Sequence, residues 1–165
     1  VFAGKAHPAD TLGKELIQRV FRGLERLRGS VRGVFLPEYD INLCRLMVSG
    51  SDLWLNTPLP PLEASGTSGM KAALNGVPSL STRDGWWVEG CIEGVTGWVI
   101  GNGAHDDRHE DASSMYDKLE RLIVPMFYRR TAEWPAIMRH AIAINASFFN
   151  TERMMHQYVV KAYVR

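Results

Sequence analysis

An α/β fold, with parallel strands, flanking helices and a helical C-terminal tail, is predicted by three observations. Through residues 1–100, short apolar runs bounded by glycine and proline alternate with helix-periodic stretches, in the order strand, helix, strand, helix, strand. Alternation of this kind implies parallel strands joined by crossover helices. From Asp111 onward the apolar residues recur only at helical spacing. Finally, 45% of the 165 residues are hydrophobic, which supports one globular domain over residues 1–165 with a real core rather than a disordered chain.

The elements follow in order. Val1-Phe2-Ala3-Gly4 reads as the end of a strand, and a start without methionine suggests a piece of a longer protein. Leu12, Leu16, Ile17, Val20, Phe21, Leu24 and Leu27 make one apolar helical stripe, ended by Gly29 and Ser30. Val31–Leu36 reads as a buried strand stopped by Pro37. Ile41, Leu43, Cys44, Leu46, Met47 and Val48 mark a short helix ending near Gly50, and Ser51–Asn56 a third strand. A helix is predicted from about Ser68 to Asn75, with Gly76 as its C′ glycine. Pro78–Thr82 and Thr96–Ile100 read as further strands, separated by a glycine- and tryptophan-rich loop over residues 83–94. In the tail, Met115, Leu119, Leu122, Ile123 and Met126 form one stripe, Ile137, Ile142 and Ile144 another, and Met154, Met155, Tyr158, Val159 and Ala162 a terminal one. The late methionines read as core filling.

Charge and cysteine content narrow the function. With 19 basic and 18 acidic residues the net charge is +1, which argues against a nucleic-acid or anionic-membrane surface. Cys44 and Cys91 form neither a disulfide framework nor a metal motif, and a reducing cytoplasm is expected. No apolar run approaches the roughly 20 residues of a membrane span, and no signal peptide is visible.

In parallel α/β sheets, ligands sit at the carboxyl ends of strands, where loops run into helix N-termini. The loop after the third strand contains Pro58, Pro60 and Pro61, which fix its backbone and delay the helix start. Next comes Glu63-Ala64-Ser65-Gly66-Thr67-Ser68-Gly69-Met70-Lys71. Gly66 and Gly69 permit close backbone approach to a ligand, and Ser65 and Thr67 suit an N-cap. Open amides at a helix N-terminus favour a phosphate, to which the Thr67 hydroxyl adds a donor. Lys71, four residues after Thr67, projects from the same face one turn of about 5.4 Å deeper. That spacing suits a ligand with a phosphate arm beside an electrophilic carbon, such as pyridoxal phosphate. Apolar neighbours (Met70, Ala72, Ala73, Leu74) are expected to lower the lysine pKa and ease Schiff-base formation. Walker A and G-x-G-x-x-G patterns do not fit: Met70 separates Gly69 from Lys71.

The run EASGTSGMKAALNG, Glu63–Gly76, resembles the pyridoxal-phosphate segment of α-glucan phosphorylases, whose pattern is close to EASGTxxMKxxLNG. Flanking pieces agree. Gly4-Lys5-Ala6-His7-Pro8 is similar to the family's GKAxP element, and VFLPEYD (34–40) to its strand and tyrosine turn. TRDGWWVEG (82–90) is similar to its DG-x-x-VE region, and FFNTERMMHQY (148–158) to the closing helices of the shorter bacterial subfamily. The resemblance spans essentially the whole chain.

The resemblance implies two facing Rossmann-like domains, the GT-B glycosyltransferase arrangement, with this chain most of the C-terminal one. It implies reversible phosphorolysis of α-1,4-glucan by inorganic phosphate to glucose 1-phosphate, with pyridoxal 5′-phosphate as cofactor. Lys71 corresponds to the Schiff-base lysine, and Thr67, Ser68 and Gly66 to positions at the cofactor phosphate. Glu63, Ala64, Ser65 and Gly66 correspond to the stretch that binds the glucosyl unit, Glu63 accepting hydrogen bonds from sugar hydroxyls. Lys71 and Glu63 are thus the candidate catalytic residues. Tyr39 matches a tyrosine near the cofactor, and Asp40 stands where long forms have arginine. The implied partners are the glucan, phosphate, and the remainder of the phosphorylase; a homodimer is compatible. The family's basic motif for the substrate phosphate lies upstream of Val1, so catalysis by this chain alone is not expected.

Other residues carry weaker signals. His105 and His109, with Asp106 and Asp107, could suggest a metal, but a solvated polar cluster is the plainer reading. Trp86 and Trp87 suit either stacking on sugar or packing their loop against the core. Asp84 and Glu89 could pass for a carboxylate pair, and the phosphorylase resemblance instead makes them loop-shaping. Two competing functions stay open: a nucleotide-sugar GT-B transferase such as a glycogen synthase, against which Lys71 speaks, and a non-catalytic carbohydrate-binding or assembly module.

Overall fold

Where apolar runs alternate with helix-periodic stretches, the computed structural model, which describes residues 1–102 and 108–164, places parallel strands and crossover helices. Two compact units result, Val1–Met47 and Val48–Arg165.

In the first unit, β1 (Phe2–Ala3) pairs in parallel with β2 (Phe35–Leu36), Phe2 opposite Phe35 and Ala3 opposite Leu36. The crossover is α1 (Thr11–Arg26), started by Asp10, whose side chain accepts from the Gly13 amide at 2.8 Å. The apolar stripe of α1 is present but is not core. No residue of the helix is buried, and Leu12 is 78% exposed. Of the stripe, only Ile17, Val20 and Leu24 are half-buried, and Phe21 meets the Phe35 ring at 4.9 Å between centroids. The physical reason is width. Two strands about 4.8 Å apart cannot cover a stripe as broad as this one. β2 is likewise shorter than its apolar run, because Val31, Arg32 and Gly33 stay exposed and pairing starts with Phe2 N–H donating to Val34 O at 2.8 Å.

Asp40 opens α2 (Ile41–Gly50): its Oδ1 accepts from the Leu43 amide at 2.8 Å. Its position is therefore a helix cap. The Leu43 amide, foremost, holds the carboxyl below its ordinary value of 3.8. For a carboxylate held low in the folded state, the stabilisation is full above 3.8 and is lost as pH falls through the lowered value. Melting midpoints of the wild-type protein and Asp40→Ala should therefore differ at neutral pH and converge as the buffer is acidified below that range. A gap unchanged down to that acidity would remove the cap as its cause.

The second unit holds three parallel strands in the order β3 (Trp54–Asn56), β4 (Ser79–Thr82), β5 (Gly97–Ile100). Both β4 and β5 are buried along their whole length. Side chains alternate between the two faces. Leu80 and Trp98 are register partners, and with Ile100 they pack against Ile123, Met126, Trp134 and Ile137. On the other face Val99 packs with Ala73, Trp86 and Trp87. Two covered faces are what a parallel sheet requires. The helices of the first face are α5 (Arg108–Lys118), continued by a π-helical turn (Leu119–Ile123) into α6 (Val124–Tyr128), and α7 (Trp134–His140). Trp134 stacks on Trp98 at 5.8 Å and 23°. On the opposite face lie α3 (Thr67–Leu74) and a four-residue helix the sequence pattern did not reveal, α4 (Trp87–Gly90).

Beyond a second π-helical turn (Ala141–Ala146), α8 (Thr151–Tyr158) contains no buried residue. Met154, Met155, Tyr158 and Val159 are exposed, so the terminal methionines are not core filling in this chain. No helix among the described residues is long and apolar enough to cross a membrane.

Candidate functional site

The β3–α3–β4 crossover sets the site. Residues 57–66 leave the carboxyl end of β3 and deliver the chain to α3, with the Pro60–Pro61 peptide cis. Thr82, at the carboxyl end of β4, donates from Oγ1 to Pro58 O at 2.8 Å and ties that loop to the sheet edge. Gly66 is the residue on which the helix starts. It is left-handed, with φ 85° and ψ 47°, and no side chain caps the helix. Ser65 and Thr67, expected as caps, do not serve as such. The left-handed turn at Gly66 supplies the entry angle that a capping side chain would otherwise set. The amides of Thr67 and Ser68 precede the first intrahelical donor, Gly69 N, which bonds Gly66 O at 3.1 Å, and they stand at the positive end of the helix.

α3 divides into two faces at helical spacing. Gly69, Ala72 and Ala73 are buried. Thr67, Lys71 and Leu74 are exposed and share the outward face, one turn apart. The common face of Thr67 and Lys71 is as expected. The apolar pocket expected around Lys71 is not formed by the described residues, and Lys71 is exposed. Ala72 and Ala73 turn into the core, so Lys71 and Leu74, at the complementary helical positions, point outward. Asn75 closes the helix, its side chain donating to Lys71 O at 2.8 Å, and Gly76 follows with φ 73°.

A tryptophan lies beneath this helix start. Trp86 is 5% exposed. A Cβ at Gly66 would lie 2.9 Å from Trp86 Cδ1, one at Gly69 2.7 Å from its Nε1, and one at Gly90 2.8 Å from its Cε3. Three glycines therefore close onto one indole, with Phe149 on its edge at 5.1 Å and 81°. Trp87, 1% exposed, donates from Nε1 to Trp98 O at 3.2 Å. Both tryptophans pack the loop against the core, which leaves neither face open for sugar stacking.

Glu63, Ala64 and Ser65 lie on the 57–66 loop, and Ser68 in the first turn of α3. Glu63 and Ser68 are half-buried, Ala64 and Ser65 exposed. Asp84 is buried and accepts from the Glu63 amide at 2.8 Å through Oδ2 and from the Gly85 amide at 2.9 Å through Oδ1. It shapes the loop, as expected, and is not one of a carboxylate pair; Glu89 is exposed on α4. The glycine–tryptophan pairing was the part sequence reasoning missed. Its signal was glycines 66, 69 and 90 in the segments before and after an adjacent tryptophan pair, but nothing in the order says which ring meets which glycine.

Tyr39 belongs to the first unit, where it is half-buried. Partial burial, then a hydrogen bond with the Cys44 side chain, push its hydroxyl up to about 12. In the second unit, burial and the nearby Glu93 carboxylate raise the Cys91 thiol to about 12. At pH 8 that leaves a thiolate fraction of about 10⁻⁴. Timed iodoacetamide labelling read by peptide mass spectrometry should find Cys91 unmodified over a period that alkylates glutathione fully; labelling at the glutathione rate would contradict the burial.

Of the histidine cluster, His105, Asp106 and Asp107 lie outside the described residues, and His109 is exposed in the first turn of α5. Among the described residues no group of three or more His, Cys, Asp and Glu side chains is placed to hold a metal.

A parallel sheet with an open helix N-terminus at the carboxyl edge of its strands defines a parallel α/β domain, with its candidate site at that edge. The carbohydrate phosphorylase family model matches residues 1–110, and the chain belongs to that family. It is 45% identical to the maltodextrin phosphorylase of Thermococcus litoralis over 99% of this chain and 20% of that protein. It is 45% identical to the glycogen phosphorylase of Aquifex aeolicus (99% and 24%) and 43% identical to that of Mycobacterium tuberculosis (99% and 20%). The chain thus spans about a fifth to a quarter of the length of these relatives. Among solved structures, Anabaena Alr3699/HepE, crystallised with UDP-glucose, superposes with a TM-score of 0.72 over 99% of this chain and 40% of that one, at 18% identity. That likeness shows the fold alone, the parallel α/β arrangement of the GT-B fold.

Proposed function

We propose that this chain is the cofactor-bearing part of an α-1,4-glucan phosphorylase, an enzyme that uses inorganic phosphate to release glucose 1-phosphate from glycogen, starch or maltodextrin. The observation that carries the reading is the outward stripe of α3. A hydroxyl (Thr67) and two open amides (Thr67 and Ser68) stand at the positive end of one helix, and an amine (Lys71) follows one turn on along the same exposed face. This donor set fits pyridoxal 5′-phosphate, whose aldehyde and phosphate arm lie on adjacent ring carbons.

In this reading the Lys71 Nζ holds the cofactor covalently. The Thr67 hydroxyl and the amides of Thr67 and Ser68 donate to its phosphate, and Gly66 lets that phosphate approach the backbone. Bound pyridoxal phosphate supplies a phosphate group that exchanges a proton with the substrate phosphate. The Glu63 carboxylate accepts from glucosyl hydroxyls, and the amides of the Ala64–Gly66 turn donate to others. The other share of the sugar site belongs to the N-terminal domain in this reading, and the substrate-phosphate motif to the polypeptide upstream of Val1.

The test is made on the full-length protein. It is loaded with pyridoxal phosphate, reduced with borohydride and mapped by mass spectrometry, and glucose 1-phosphate release from maltodextrin is assayed in parallel. Stoichiometric label on Lys71 with phosphate-dependent release is expected. Scattered surface labelling, with glucosyl transfer from UDP-glucose in place of phosphorolysis, would turn the reading over to a nucleotide-sugar transferase.

A further inference from the structure

We propose that Asp84 is a positioning residue of the glucosyl-binding turn: its buried carboxylate holds Glu63 in register from the far side of the loop, separately from the helix that carries Lys71. The proposal rests on the phosphorylase reading above.

Asp84 is 8% exposed. A carboxylate is an acceptor only, and each of its oxygens here takes a backbone amide: Glu63 N at 2.8 Å on Oδ2, Gly85 N at 2.9 Å on Oδ1. The bond to Glu63 joins residues 21 apart in sequence. The same loop grips the other end of the turn, the Trp86 amide donating to Ser65 O at 2.7 Å. Between these two links sits Gly85, left-handed with φ 53°. A Cβ there would lie 2.7 Å from Ser65 O and 2.9 Å from Glu63 Cγ, so the Glu63 stem and the Ser65 carbonyl close directly onto it.

Two supports follow from this geometry. Residues 63–65 hang from the 84–86 loop by two hydrogen bonds, whereas Thr67 and Lys71 ride on α3, whose buried face meets the Trp86 ring. Trp86 is common to both supports, and the Asp84 bond is the one link that serves residues 63–65 alone, so it can open while the Trp86 ring stays under α3. Asp84→Asn changes one atom at nearly constant volume. Its amide group keeps one acceptor and turns two N–H donors toward the other backbone amide, so one link opens.

The experiment uses the full-length, cofactor-loaded protein with a double-mutant cycle of Asp84→Asn and Glu63→Gln. For Asp84→Asn alone, stoichiometric label at Lys71 is expected to persist. The kcat/KM for maltodextrin should fall by about 10²-fold, the loss typical of a misplacement near 1 Å, while KM for phosphate stays unchanged. In the Glu63→Gln background the further fall should shrink to a few-fold, because the two residues act through one contact. Additive losses, a wild-type kcat/KM in Asp84→Asn, or loss of cofactor label together with melting temperature would each overturn the proposal, the last by making Asp84 a folding residue. Should the wild-type protein itself fail to take label on Lys71, the phosphorylase reading fails and the proposal with it.

Discussion

Replacing Lys71 with alanine in the full-length protein is expected to abolish borohydride-trapped cofactor and to lower glucan phosphorolysis by about 10²–10⁴-fold, the range attributable to a lost proton-transfer group. Lys71 lies on the exposed face of α3, away from the buried Gly69, Ala72 and Ala73, so the substitution removes no core contact. Alanine is also the best helix former, and the fold should therefore be undisturbed. The discriminating result is a wild-type melting curve for the cofactor-free variant combined with lost activity. Lys71→Arg keeps the charge but offers no amine to an aldehyde. It should be as inactive as Lys71→Ala. If Lys71→Arg retained most of the activity, Lys71 would be a phosphate-binding cation and not a covalent tether.

The largest effect on stability is expected at Gly97, the first residue of β5. Its φ of +152° lies where side-chain-bearing residues are strained. A Cβ there would collide with Ser79 O, in the backbone of β4, and would lie 2.8 Å from Trp87 Cη2 and 2.9 Å from its Cζ2. Neither neighbour can yield. Ser79 is the register partner of Gly97, and Trp87 is held by its bond to Trp98 O. Strain of about 1–3 kcal/mol and overpacking of about 1–3 kcal/mol act together, so Gly97→Ala should cost about 3–5 kcal/mol. At about 2–4 °C per kcal/mol for a domain of this size, the melting midpoint should drop by roughly 10 °C. Gly94→Ala is the control. Gly94 is also left-handed, with φ 71°, but no atom lies within 4 Å of its would-be Cβ, so it isolates the conformational cost. Equal shifts for the two variants would show that the β4 and Trp87 contacts give way.

The candidate site was largely legible before any coordinates. Residues 63–71 are contiguous, and helical spacing alone places Thr67 and Lys71 on one face. Which face points outward was not legible, because α3 has apolar residues on both sides and Leu74 is exposed while Ala72 is buried. The Gly66 start was misread for a related reason: serine and threonine cap helices through their side chains, and glycine enters by conformation, which leaves no side-chain pattern to read.

Local sequence determined the order of strands and helices, the parallel sense of the sheet, and the grouping of amine, hydroxyl and amides on α3. These depend on periodicity and on connections a few residues long, and both are written in the chain itself. Tertiary structure alone decided the rest. It placed Trp86 beneath Gly66, Gly69 and Gly90, set the Asp84 carboxylate on the Glu63 amide 21 residues away, and left the stripes of α1 and α8 exposed. The reason is that burial and long-range hydrogen bonding are properties of pairs of segments. A sequence names the surfaces that want covering, and only the folded arrangement says which surface meets which.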